Sequence, residues 1–161
     1  MKKILFLCTG NSCRSQMAEG WAKALLAGKV EAFSAGTRPG REVDPRAVKA
    51  MAEAGLDISG QRPKSLEIFK DKDFDLVVTL CDKAMPVPHK GYAHQAANAH
   101  TACPAYWGKG RKMHNGFDDP ATVAGKGPSE EEAMPHYRRV RDEIKEFVLR
   151  LPEILEQGEL K

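Results

Sequence analysis

The chain has 161 residues, of which 42% are hydrophobic and 29% charged, and a formal net charge of +3. That length can bury one sizeable core, and the composition is ordinary for a single soluble domain spanning residues 1–161. The small charge, the absence of a long basic run and the lack of any apolar run near ~20 residues exclude arguments for nucleic acid or a membrane span.

The first element is the apolar run Ile4-Leu5-Phe6-Leu7, which reads as a buried strand ending at Cys8. The opening Met1-Lys2-Lys3 and this run resemble a lipoprotein signal only superficially. The apolar part is too short, and bulky Leu7 stands where a small residue is expected. A helix is expected from about Ser15 to Ala27, with Met17, Trp21, Ala24 and Leu25 on one face and Gly28 as its stop signal. Glu31 to Ala35 reads as a short strand ended by Gly36. Asp44 and Pro45 open a second helix as N-cap and first-turn residue, and Gly55 closes it after about Ala54. Phe74 to Leu80 is β-rich and delivers Cys81 at its end. Ser129-Glu130-Glu131-Glu132 starts a last helix that continues to about Leu151, with Pro135 as a candidate bend. The cluster Arg138-Arg139-Val140-Arg141, followed by Asp142 and Glu143, fits a solvated helix face. Alternation of this kind implies an α/β fold, a parallel sheet covered by helices on both faces.

The chemistry concentrates behind the first strand, in Cys8-Thr9-Gly10-Asn11-Ser12-Cys13-Arg14-Ser15. A tight loop between a strand and a helix aims backbone N–H groups at one spot, and the helix N-terminus adds positive potential. That spot suits a tetrahedral oxyanion, to which Arg14 adds a planar fork of donors. Such a field favours the thiolate of a cysteine at its centre, so Cys8 is the expected nucleophile and Thr9 to Ser15 the expected anion cradle. Cys13 is either a packing residue or a transient partner that protects Cys8 from over-oxidation. Trp21, Met17 and Met51 look like core. Ligands in doubly covered parallel sheets bind beyond the C-terminal strand ends. Cys8 and Cys81 both lie there and could meet.

The stretch from Met85 to Asn115 shows no regular pattern and is expected to be a long irregular loop. It carries four of the five histidines: His89, His94, His100 and His114. Histidine-rich tracts can bind zinc, but neither helical His pairs nor Cys-x2-Cys accompany them. A surface loop is the expected reading, with no metal site. Four cysteines in a chain read as cytoplasmic point to catalysis rather than structural disulfides.

Cys-x5-Arg near the N-terminus resembles the low-molecular-weight tyrosine phosphatase fold. The longer string from Cys8 to Gly20 resembles its thioredoxin-coupled arsenate reductase branch. Further matches follow in order: Phe33-Ser34-Ala35-Gly36-Thr37, Val77-Val78-Thr79-Leu80-Cys81-Asp82, Cys103-Pro104 and Gly116-Phe117-Asp118-Asp119-Pro120-Ala121. The resemblance covers nearly the whole chain, apart from an unusually long stretch between Cys81 and Cys103.

This resemblance implies a small parallel four-stranded sheet and an arsenate reductase in which Cys8, Arg14, Cys81, Cys103 and Asp119 are catalytic. Cys8 would attack arsenate, Asp119 would protonate the departing oxygen, and the disulfide would pass through Cys81 to Cys103. Asp118 is the competing acid. Thioredoxin is the implied reductant, with glutaredoxin or a small thiol as alternatives, and no organic cofactor is implied because thiols carry the electrons. Two other functions stay open: a phosphatase hydrolysing phosphate monoesters, and a non-catalytic oxyanion or redox sensor. Some family members hold potassium at positions resembling Asn11, Glu19 and Ser34. Lys64 stands where they place an acid, so no potassium is expected here.

Overall fold

The computed structural model describes residues 1–81, 108–125 and 127–158. Four strands, β1 (Lys2–Cys8), β2 (Val30–Gly36), β3 (Leu76–Thr79) and β4 (Arg111–His114), form one parallel sheet in the order β2-β1-β3-β4. β1 is central, and its side chains are buried from Ile4 onward because both of its faces are covered. Its even-numbered residues Ile4 and Phe6 join Leu76, Val78 and Leu80 in the larger core. That core is closed by α1 (Arg14–Leu25), α2 (Pro45–Glu53) and α4 (Glu130–Leu149), through residues such as Met17, Met51 and Tyr137. The odd-numbered Leu5 and Leu7 face the other way. They pack with Val77, Ala35 and Phe74 under Leu66 and Phe69 of a 3-10 helix (Leu66–Phe69). Helical cover therefore lies on both faces, but with most of the helix mass on one.

Local chemistry explains the boundaries. Asp44 caps α2 by accepting from the Arg46 N–H, Pro45 follows it, and Gly55 takes a positive φ beyond the end. Ser129 accepts from the Glu132 N–H at the start of α4. Two readings need correction. The last helix is interrupted at Arg150, and α5 (Leu151–Gln157) follows with Pro152 in its first turn. Pro135, the candidate bend, lies within α4. The expected irregular loop contains β4. Arg-Lys-Met-His is polar and shows no alternation, so only its pairing with β3 identifies it as an edge strand. Residues 82–107, including His89, His94, His100 and Cys103, lie outside the described residues. Among the described residues, no helix is long and apolar enough to cross a membrane.

Candidate active site

The loop from Thr9 to Cys13 joins the C-terminal end of β1 to the N-terminus of α1, and its carbonyls face outward. The carbonyls of Thr9, Gly10 and Ser12 accept from the N–H groups of Arg38 (2.9 Å), Gly40 (2.9 Å) and Asp44 (2.7 Å). The Asn11 carbonyl accepts from the Gln16 side chain at 2.9 Å, and that of Cys13 from Met17 N–H at 2.9 Å. Segment 38–44 thus straps the loop from outside. Among the described residues, the N–H groups of Gly10 to Ser15 donate to no protein acceptor. Asp44, Asp119 and Ser129 cap α2, α3 (Pro120–Ala124) and α4, whereas the N-cap of α1, Cys13, makes no side-chain cap bond. The uncommitted donors and the positive end of the helix dipole coincide at one place, beside Cys8. Such an arrangement can hold an oxyanion.

Gly36, read from sequence only as a strand end, makes the loop possible. A Cβ there would stand 2.4 Å from the Thr9 carbonyl oxygen and 2.9 Å from that of Cys8. Both obstacles are backbone, so the loop itself would have to move. Gly36→Ala is expected to weaken phosphate or sulfate binding by at least ~10-fold, the size of a modest overpacking penalty. Calorimetric titration checks this, and unchanged affinity in a folded variant would contradict the close approach.

Cys8 is buried, and its Sγ lies 2.8 Å from Ser15 Oγ. Ser15 Oγ also accepts from Asn11 Nδ2 at 2.8 Å, which leaves the serine hydroxyl hydrogen free to point at the sulfur. Ser15, expected only as a cradle residue, therefore also hydrogen-bonds Cys8. Asn11 adopts a left-handed φ of 46° and is fully buried. Its Oδ1 accepts from Gln16 Nε2 (3.1 Å) and Lys64 N–H (2.8 Å), which fixes the side chain and leaves its backbone N–H for an anion. Gln16 in turn is held by Gln61 Nε2 at 2.7 Å. Sequence reading missed both glutamines, whose partners are remote along the chain.

Cys13 sits in the main core, and burial, reinforced by Asp44 and Asp119, pushes its thiol well up. Of its two readings, a packing residue held as the neutral thiol is the one this environment favours. Cys8, Cys13 and Cys81 are not joined to one another by a disulfide.

Arg14 reaches across the strand ends. Its Nη1 donates to the carbonyls of Phe117 (3.0 Å) and Leu80 (3.4 Å), and its other guanidinium nitrogens have no hydrogen-bond partner among the described residues. One side chain thereby links the cradle to the residue before Cys81 and to the segment leading into Asp119. Cys81 is buried just past β3, where Leu80 N–H donates to Leu7 O at 2.9 Å and extends the ladder beside Cys8. Asp119 caps α3, accepting from Ala121 N–H (3.2 Å) and Thr122 Oγ1 (3.0 Å). Asp118 is instead ion-paired with Arg139 at 3.2 Å. The competing acid is thus engaged on α4, while Asp119 acts electrostatically on Cys13 inside the cradle.

Behind the loop, Glu19 is buried, accepts a short hydrogen bond from Ser34 Oγ, and meets Lys23 Nζ at 2.5 Å and Lys64 Nζ at 3.5 Å. Lys64 Nζ also donates to Arg62 O at 2.9 Å. The side-chain oxygens of Asn11 and Glu19 accept from N–H and O–H partners, Ser34 spends its hydroxyl hydrogen on Glu19, and a lysine supplies the positive charge. This set does not fit a resident potassium ion. His114, one of the histidines of the expected loop, lies in β4 with Nδ1 2.8 Å from Thr79 Oγ1. Among the described residues, no group of three potential metal ligands assembles.

The family described as low molecular weight phosphotyrosine protein phosphatase matches residues 3–159. The chain belongs to this family. Similar chains include relatives named arsenate reductase. One from Halalkalibacterium halodurans is 46% identical over 143 residues, 89% of either chain. Another, from Bacillus subtilis, is 43% identical over 157 residues, 98% of this chain and 97% of the relative. A solved arsenate reductase in its phosphate binding state superposes with a TM-score of 0.69 at 34% identity, covering 96% of this chain and 99% of that one. The family accounts for the four-stranded parallel sheet.

Proposed function

We propose that this protein reduces arsenate to arsenite through its own thiols. The observation that carries the proposal is the set of uncommitted N–H donors in the loop that follows Cys8, with a second cysteine, Cys81, just past the end of the neighbouring strand. Arsenate binds in the loop from Thr9 to Ser15, held by backbone N–H groups and by the free side of Arg14. The Cys8 thiolate attacks arsenic and forms an S–As bond while one oxygen leaves, protonated by Asp119 as water. Thr122 and the Ala121 N–H orient that carboxyl. Cys81 then attacks the Cys8 sulfur. The S–As bond breaks, its electron pair stays on arsenic, and arsenite departs as the Cys8–Cys81 disulfide forms. Cys103 attacks Cys81, releases Cys8 as thiolate and carries the disulfide onward to a dithiol reductant, which we take to be thioredoxin. Such a cascade needs a compartment that keeps cysteines reduced, which is why we assign it to the cytoplasm.

A phosphatase would share Cys8, Arg14 and Asp119 but would hydrolyse the Cys8 adduct with water, without Cys81 or Cys103. A non-catalytic sensor would bind the anion and turn nothing over. Assays with arsenate and with an aryl phosphate, each with and without thioredoxin and its reductase, distinguish the three. Thioredoxin-dependent arsenite formation is the expected result. Aryl phosphate hydrolysis without arsenite formation would replace the reading with the phosphatase one.

Cys103 lies outside the described residues, and its role is the least constrained by geometry. A longer flexible loop costs only about 0.6 kcal/mol more per doubling to close, so the long stretch after Cys81 does not forbid a Cys81–Cys103 bridge. Cys103→Ser is expected to release about one arsenite per enzyme and then stall with thioredoxin as sole reductant. Cycling at the unsubstituted rate would show that Cys81 is reduced directly.

A further inference from the structure

The oxyanion loop is strapped at three carbonyls, and the last of these contacts is anchored by a residue of α4. Asp44 N–H holds the Ser12 carbonyl at 2.7 Å, the shortest of the three bonds. The Asp44 side chain is fixed in turn. Its Oδ1 accepts from Arg46 N–H at 2.9 Å, and its Oδ2 accepts from the Tyr137 hydroxyl at 2.5 Å. Tyr137 is only 1% exposed and belongs to the same core as Cys13. It projects from α4, and the pair spans 93 residues of sequence. Burial and the Asp44 carboxylate both push the phenol up, so it remains the donor.

We infer that Tyr137 and Asp44 form a positioning pair for the oxyanion loop, in which the phenol fixes Asp44 and Asp44 fixes Ser12 and the start of α1. Neither residue touches the anion. The inference rests on the loop being an anion cradle, not on the fate of the bound anion. The physical reason for a tyrosine here is charge. A carboxylate beside an anion site opposes the ligand unless its oxygens are bound, and Arg46 N–H and the phenol bind one each. Removing the phenol alone leaves Oδ2 without its donor. Removing the charge as well relieves the defect, because an asparagine can still cap α2.

The test compares Tyr137→Phe with the double variant Asp44→Asn/Tyr137→Phe, using inorganic phosphate as the probe in calorimetric titration well below the melting temperature. Tyr137→Phe is expected to raise the phosphate Kd by about tenfold, as expected for a lost charge-assisted bond transmitted to the loop. The double variant is expected to return to within about threefold of the unsubstituted protein, by the same double-mutant logic. In arsenate turnover the single variant should raise KM more than it lowers kcat. A folded Tyr137→Phe protein that binds phosphate within about twofold of the original, while only its melting temperature falls, would overturn the pair. A double variant that binds no better than the single one would overturn it too. If the unsubstituted protein fails to reduce arsenate but the phosphate pattern holds, the pair stands and the proposed reaction falls.

Discussion

Cys8→Ser is expected to abolish arsenate reduction while leaving the fold and phosphate binding in place. The cradle is built from main-chain N–H groups and Arg14, none of which depends on the sulfur. A serine hydroxyl is smaller and can still meet Ser15 Oγ, which lies 2.8 Å from the sulfur it would replace. What is lost is the ionisable nucleophile and the sulfur that Cys81 attacks to release arsenite. A single-turnover arsenite assay and a phosphate titration on the same preparation check the two halves separately. Substantial arsenite from the variant would mean that another thiol attacks arsenic. Cys13 is the nearest alternative within the loop, but its burial and acidic neighbours hold it as the neutral thiol.

Arg14→Lys carries the second large effect. The guanidinium performs two tasks that one ammonium cannot combine. Its Nη1 grips the carbonyls of Leu80 and Phe117, and its remaining N–H groups are left for the anion. A lysine offers a point charge of different reach, so it either bridges the carbonyls or faces the oxyanion. Catalytic efficiency with arsenate is expected to fall by at least ~100-fold, about 2.7 kcal/mol of transition-state stabilisation. Steady-state kinetics at saturating reductant measures it. A loss below tenfold would mean that Arg14 serves only to tie the three segments together.

Much of this site is legible along the chain because it is local. The apolar run, the Cys-x5-Arg spacing and the helix that follows are adjacent in sequence, and the parallel fold puts the end of β3 beside the end of β1 as a matter of topology. The parts that sequence reading missed depend on contacts between distant residues. Nothing near Gly36 announces that its α-carbon must pass the Thr9 carbonyl. Ser15 shows its second role only when Asn11 turns left-handed and donates to it. Gln61, Lys64 and Tyr137 act on the loop from 45, 53 and 93 residues away from their partners. Lys64 was legible as a charge in an unusual place, but its ammonium beside Glu19 required the fold. β4 escaped notice because an exposed polar edge strand has neither the alternation nor the apolar run that marks its neighbours.

The central claim is that the protein's own thiols reduce the anion held in the loop. Its most direct test is a single turnover. Fully reduced protein is mixed with excess arsenate and no reductant, and arsenite, free thiols and cross-linked peptides are measured together. The expected result is about one arsenite released and about two thiols lost per chain, with Cys81 joined to Cys103. Binding of arsenate with no arsenite formed and all thiols retained would contradict it.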